Sequence, residues 1–275
     1  LLPLKKNKMR KIYTFICLVI SSVGFCQSLE KDTSFNPFTL PENHNYIDGS
    51  CTKCLVQPDG KILVVQYINI NAGRSVIKRI DVNNLIDPTF SNTLYFDGII
   101  KDMALQADGK IVVVGGFSNV NGTSSRFLVR LNTDGTIDNS FIVAGFGTFS
   151  NSPYQFASSL VIRPDGKILV GGALWRYGTT YQNSLFLLNT DGTLDTSFTP
   201  SIPEYDVSKM TLLSNGQIIL CFQGNAALKK LNADGSIDNS FYFTNQFTNA
   251  SGNTGIINTV VEEADGKLLV GGRFT

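Results

Sequence analysis

The sequence predicts an all-β protein: a β-propeller of four-stranded antiparallel blades, present in this chain as an incomplete arc. The first observation is Asp-Gly-Lys followed by apolar β-formers at Asp59, Asp108, Asp165 and Asp265, with Asn215-Gly216-Gln217 in the fourth place, at steps of 49, 57, 50 and 50 residues. The second is an interleaved signature at the same period: LNTDGTIDNSF ending at Phe141, LNTDGTLDTSF at Phe198, LNADGSIDNSF at Phe241, and a worn copy, IDVNNLIDPTF, at Phe90. The third is that no helical period interrupts these runs of β-branched and aromatic residues.

In chain order, positions 1–8 (LLPLKKNK) read as upstream translated sequence. Positions 9–27 read as a secretory signal peptide, in which Met9-Arg10-Lys11 precedes the apolar IYTFICLVISSVGF, and cleavage is expected near Cys26 or Gln27. Phe25 before Cys26 argues against a lipidation site. Removal of the leader leaves no transmembrane helix in the mature chain. Residues 28–275 form the repeat domain: a lone strand D at about 32–38, blades at about 50–90, 99–141, 157–198 and 207–241, and a partial blade at 256–275.

Each repeat carries two hairpins. Asp108-Gly109, Asp165-Gly166 and Asp265-Gly266 connect strands A and B, and Asp134-Gly135, Asp191-Gly192 and Asp234-Gly235 connect C and D. Type I′ turns are expected, because Asp tolerates and Gly accepts positive φ. The strand-D phenylalanines Phe90, Phe141, Phe198 and Phe241 are read as core plugs, and Asp87, Asp138, Asp195 and Asp238, three residues earlier, as local backbone caps. Gly171-Gly172, Gly271-Gly272 and the shifted Gly115-Gly116 fit close backbone approach. A single four-stranded sheet cannot bury both faces, so neighbouring units stack, and radial stacking gives a propeller.

DGKILVGG followed by RLN-x-DG-(S/T)-(I/L)-D-x-SF resembles the delta-60 repeat family, a propeller-like module of large secreted bacterial proteins. The likeness extends over about Asp32 to Thr275. Gly-Gly is lost at Val65-Gln66 and Cys221-Phe222, and Pro88 stands in the first full strand D. The resemblance implies fold and secretion and supplies no catalytic or binding residues. Four full copies, a lone D and an A–B pair suggest a fragment. Five blades would close with one more strand C, six to eight need further repeats, and about seven are expected.

The composition is globular, 43% hydrophobic and 16% charged. Five positives and no acids lie in residues 1–26, and the remainder has 18 positives against 22 acids, a net of −4 that argues against nucleic acid as partner.

Cys51-x-x-Cys54 aligns with apolar strand-A positions and reads as core rather than as redox or metal chemistry. Cys221 sits likewise in strand B. Asn132-x-Asp134-Gly135-x-x-Asp138 lacks calcium-loop carboxylates at Arg130 and Phe141 and reads as a hairpin. The single histidine, His44, precedes the first blade. No cofactor is implied.

Asp102, Asp206, Glu262 and Glu263 lie near strand A, usually the innermost, but do not align as a catalytic set. The variable D-to-A connections 142–156 and 242–255 offer aromatics, Phe146, Phe149, Tyr154, Tyr242, Phe243 and Phe247, for a protein or glycan ligand. The expected function is a secreted or cell-surface, non-catalytic binding or adhesion scaffold, with a polysaccharide hydrolase or lyase, or a structural spacer, as alternatives.

Overall fold

Every repeat opens on a strand that reverses within three residues. In the first, Gly60 N–H donates to Gln57 O at 2.9 Å and Gln57 N–H to Lys61 O at 2.8 Å. Gly60 alone has positive φ, +88°, while the Asp59 carboxylate accepts the Lys61 N–H at 3.1 Å. This is a type I turn closed by a left-handed glycine, and it corrects the expected type I′ geometry: Asp stays on the ordinary side of φ and uses its carboxylate to hold the turn. The same bonds recur at Gly109, Gly135, Gly166, Gly192, Gly216, Gly235 and Gly266.

The computed structural model describes residues 51–274 apart from 70–73, 84, 92–93, 148–155, 201, 203–205, 224–226, 244–246, 249–251 and 253–254. The expected leader, lone strand D and His44, together with Phe149 and Tyr154, lie outside the described residues.

The first blade pairs β1 (Cys51–Val56), β2 (Ile62–Asn69) and β3 (Arg74–Ile80). After β4 (Tyr95–Phe96), the second blade consists of β5 (Ile100–Leu105), β6 (Ile111–Gly115) and β9 (Leu128–Leu131), with the hairpin β7 (Asn119–Val120) and β8 (Thr123–Ser124) between its second and third strands. The third follows β10 (Phe146–Gly147) and contains β11 (Ala157–Ile162), β12 (Ile168–Gly172) and β15 (Leu185–Leu188), with the hairpin β13 (Arg176–Tyr177) and β14 (Thr180–Tyr181) inserted alike. The fourth is β16 (Val207–Leu212), β17 (Ile218–Phe222) and β18 (Leu228–Leu231), and the fifth unit is β19 (Ile256–Glu262) with β20 (Leu268–Arg273).

Strand D is reduced to one antiparallel bridge per blade: Ile80 with Ile86, Leu131 with Ile137, Leu188 with Leu194 and Leu231 with Ile237. Its aspartate ends the ladder. Asp138 Oδ1 accepts the backbone N–H of Ser140 at 3.0 Å and its hydroxyl at 2.6 Å, turning the chain out of the sheet.

Blades stack face to face over four apolar cores, one at each junction. All five residues of β6, β12 and β17 are buried, because both faces of these middle strands are covered.

A latch joins each of the first three blades to the next along the rim of C–D turns. The Phe90 ring lies where a Cβ on Gly135 of the following blade would come within 2.7 Å, and Phe141 and Phe198 meet Gly192 and Gly235 in the same way. Arg79 donates from Nε to Asp87 at 2.9 Å, covers the Phe90 ring at 4.8 Å, and donates from Nη1 to Thr133 O of the next blade at 2.6 Å. Arg130 repeats this with Asp138, Phe141 and Thr190 O. In the third blade the arginine has moved: Leu187 occupies its place in the strand, and Arg163, from the A–B turn, reaches the matching carbonyl, Ala233 O, at 2.8 Å.

Lys61 and Arg79, Lys110 and Arg130, and Lys167 alone, hold the first three aspartates, while Lys230 and Gln217 hold Asp238. The Lys61 and Thr89 hydrogen bonds hold Asp87 well below the usual carboxylate range. Burial pushes Asp138 up, but the bonds from Lys110, Ser140 and Arg130 outweigh it and the net shift is downward. Lys167 and then Ser197 bring Asp195 to about 2.

Candidate functional site

The inner end of strand A holds a β-bulge in every unit. The register slips between Cys51 and Lys53, Ile100 and Asp102, Ala157 and Ser159, Val207 and Lys209, and Ile257 and Thr259. A bulge re-aims side chains and bends the strand. Here it groups two sets of equivalent positions: Lys101, Ser158, Ser208 and Asn258 at the bulge, and Lys53, Asp102, Ser159, Lys209 and Thr259 just after it.

The second set converges. Asp102 Oδ1 pairs with Lys53 Nζ at 2.6 Å, and Oδ2 pairs with Lys209 Nζ at 3.1 Å and accepts from Ser159 Oγ at 3.3 Å. Asp102 is 3% exposed, and burial alone would push its carboxyl up, but Lys209 and Lys53 reverse this and hold it ionised. One carboxylate thus ties strand A of the first, second and fourth blades. With both oxygens engaged by ammonium groups, it is a structural anion rather than a proton carrier.

The first set borders a place where the fourth blade departs from the second, third and fifth units, as the first blade also does with Gln66 opposite Cys51. Gly115, Gly172 and Gly272 pair with Ile100, Ala157 and Ile257 just before the bulge, and a Cβ on them would stand 2.0, 2.4 and 2.0 Å from the carbonyl oxygens of Ile99, Phe156 and Ile256. No side chain fits there. The fourth blade nevertheless carries Phe222, paired with Val207. The residue matching Ile99, Phe156 and Ile256 is Asp206, with φ +72°. A left-handed aspartate turns the strand entrance differently and makes room for the ring, at a cost of roughly 1–3 kcal/mol in backbone strain. The Gln223 N–H still donates to Asp206 O at 3.0 Å, and Ser184 Oγ accepts the Asp206 N–H at 3.2 Å.

Beside this change lies a cleft of about 540 Å³ between the fourth and fifth units, lined by Asp206, Ser208, Phe222, Gln223, Ile256, Ile257 and Asn258. Burial pushes the Asp206 carboxyl up. Ser208 Oγ is buried without a hydrogen-bond partner among the described residues. An acid, an unsatisfied hydroxyl and two amides beside apolar walls suit a ligand with both hydrogen-bonding groups and an apolar face.

The other sequence candidates fall elsewhere. Phe146 is fully buried against Tyr177 and Phe186, with centroids 4.8 and 5.5 Å away, so it supports the fold and is not presented to a ligand. Tyr242 is 87% exposed. Phe243 and Phe247 are half-buried against each other and Phe274. Glu262 accepts from Ser214 N–H at 2.6 Å and its hydroxyl at 3.1 Å, and Glu263 belongs to the A–B turn. Of the four carboxylates near strand A, Asp206 alone lines the cleft. Cys221 is buried, which pushes its thiol up to about 12, and Cys54 is half-buried in β1. Among the described residues no three or more His, Cys, Asp or Glu are grouped to hold a metal, and no helix is long and apolar enough to cross a membrane.

Asp206 and Ser208 give no motif. Their signal in the sequence is an acid where Ile99, Phe156 and Ile256 stand in the second, third and fifth copies and Ser50 in the first, coupled to the loss of Gly-Gly at Cys221-Phe222.

Residues 106–141, 163–198 and 222–241 match the model of a family described as a domain of unknown function (DUF5122) β-propeller, which supports membership of a propeller-repeat family. No curated protein matches the chain in sequence. Among solved structures, the chain is similar to catalytically inactive virginiamycin B lyase from Staphylococcus aureus with quinupristin, at 18% identity and TM-score 0.52 over 81% of this chain and 63% of that one. It is also similar to a streptogramin B lyase, at 14% identity and TM-score 0.50 over 80% and 61%. PorZ, a bacterial surface component of the type-IX secretion system of Porphyromonas gingivalis, follows at 16% identity and TM-score 0.47 over 80% and 31%. The chain spans under two thirds of the length of these proteins, and such identities speak for fold alone. Stacked antiparallel units, recurring bulges and the family match lead to one conclusion: this chain is a β-propeller repeat protein.

Proposed function

We propose that this chain is an exported, secreted or surface-displayed propeller of the delta-60 type that acts as a binding scaffold, with its ligand in the cleft beside Asp206. The observation that carries this reading is the coupled change of Asp206 and Phe222 beside the cleft, at positions where the second, third and fifth units keep an apolar residue and a glycine. Strain and burial of an acid are costs that a purely structural repeat has no reason to keep. Ile256, exposed beside the buried Phe222 and Ile257, offers an apolar face, and Asp206, Ser208, Gln223 and Asn258 offer donors and acceptors, as a glycan requires.

A glycan array on the full chain, followed by calorimetry, tests this. Gln223→Ala and Asn258→Ala should each weaken the best hit at least five-fold, and unchanged affinity in both would sink the proposal.

A polysaccharide hydrolase or lyase is the second reading, favoured by the raised carboxyl of Asp206, which suits a proton donor. Turnover of a polysaccharide that Asp206→Asn abolishes, with binding retained, would select it.

A further inference from the structure

A second pocket, remote in sequence from the first, lies between the inserted hairpins of the second and third blades. It encloses about 260 Å³ and is lined by Ser124, Ser125, Arg126, Val143, Ala144, Gly145, Arg176 and Gly178. Two arginines therefore face one small space. Arg79, Arg130 and Arg163 all find carboxylates or carbonyls, but Arg126 and Arg176 form no ion pair among the described residues.

The site is built rather than incidental. Arg176 lies across Gly147, where a Cβ would come 2.7 Å from its Nε, so the absent side chain makes the bed for the guanidinium. The floor, 143–145, is pinned from below: Tyr177 OH accepts the Ala144 N–H at 3.2 Å and donates to Gly192 O at 2.7 Å. Gly178 N–H donates to Gly145 O at 3.0 Å and Trp175 N–H to Gly147 O at 3.1 Å, fixing the β13–β14 hairpin against this floor. Gly178 has φ +58°, and a Cβ on it would come within 3.2 Å of Ala144 Cβ, which keeps the space open only for glycine.

We infer that this pocket binds the anionic group of an acidic polysaccharide, a carboxylate or a sulfate ester on a sugar ring. Two guanidinium forks match the paired oxygens of a carboxylate or two of the three terminal oxygens of a sulfate ester, and the Ser124 hydroxyl adds a donor. Beside the charge stands a flat apolar surface: Tyr181 is the cross-strand partner of Arg176, is 64% exposed, and is braced edge-on by Trp175 at 5.2 Å. A sugar acid presents both features at once, which a bare carboxylate on a flexible peptide does not. This inference goes beyond the cleft at Asp206 and does not depend on it.

Trp175 is the only tryptophan, so intrinsic fluorescence of the full chain reads this site directly. Titration with oligogalacturonate or a heparin-derived oligosaccharide should change the emission saturably, and affinity should fall steeply with added salt. The stronger of the two ligands identifies carboxylate or sulfate as the group bound. Arg126→Gln and Arg176→Gln should each weaken binding at least ten-fold with unchanged thermal midpoints, whereas Lys267→Gln, which removes a positive charge at an exposed A–B turn outside either pocket, leaves it unaltered. If Arg176→Gln fails to fold, the exposed Arg126 carries the test alone. Equal binding of methyl-esterified oligogalacturonate, equal binding of polyglutamate, no response to either acidic glycan, or full affinity in the arginine variants would each overturn the inference.

Discussion

The two rims of the blades obey different rules. Along the rim of C–D turns, one device repeats: a phenylalanine against the next blade's glycine, an arginine across to the next blade's carbonyl, and an aspartate that turns the chain and anchors the cations. Where a part is lost, another replaces it, as Arg163 does for the arginine absent at Leu187. At the opposite rim the copies diverge, with inserted hairpins in the second and third blades and the coupled Asp206 and Phe222 in the fourth. Repetition with compensation marks what every junction needs to stand. Divergence with uncompensated cost marks the rim where the proposed binding sites lie.

The sharpest way to break this comparison is Gly192→Ala. A Cβ there would lie 2.2 Å from Ile142 O and 2.9 Å from the Phe141 ring, at φ +92°. Strain and overpacking together should cost roughly 3–5 kcal/mol, read from urea unfolding. Gly216→Ala has the same sign of φ, +83°, with nothing within 4 Å, and should cost only about 1 kcal/mol. Equal losses in the two variants would show that the glycines serve their turns alone and not the latch.

Next, Arg163→Ala should destabilise the chain by about 1 kcal/mol through the lost bond to Ala233 O. Adding Leu187→Arg should restore most of that loss, since the first two blades reach the matching carbonyl from that strand position. Failure of the rescue would mean that the two arginines are not interchangeable.

The aspartates make the latch sensitive to acid. Asp195 has a folded value of about 2, below the ordinary aspartate value near 3.9. Its contribution is therefore fully present above the unfolded value and is lost as pH falls from about 4 through about 2. Thermal midpoints should drop over that window, and Asp195→Asn should flatten part of the slope. An unaltered slope would assign the acid sensitivity to the other aspartates.

The smallest expected effect has the opposite sign. Asp206→Gly should raise stability by about 0.5–1 kcal/mol by removing left-handed strain. The same variant should lose ligand in the proposed cleft, and a destabilised Asp206→Gly would show that the aspartate belongs to the frame.

Much of this fold is legible in the sequence. Interleaved Asp-Gly anchors at one period mark paired hairpins, and apolar runs such as KIVVVGG and KILVGG mark middle strands covered on both faces. The turn type is not legible, because Asp-Gly suits more than one turn and only the φ of Asp decides. Nor is the short strand D: TIDNSF reads as a strand, yet the aspartate's bonds to the residues after it end the pairing at a single bridge.

By itself, the sequence determined the repeat and its punctuation, because these depend on local φ preference and a two-residue period. Only the tertiary structure decided that Asp102 meets lysines 49 residues before it and 107 after, that the Phe of one blade fills the glycine of the next, and that Arg126 and Arg176 share a pocket. The physical reason is that stacking brings equivalent positions of different blades into contact. A deviation in one copy acquires meaning from neighbours that lie far away in the chain.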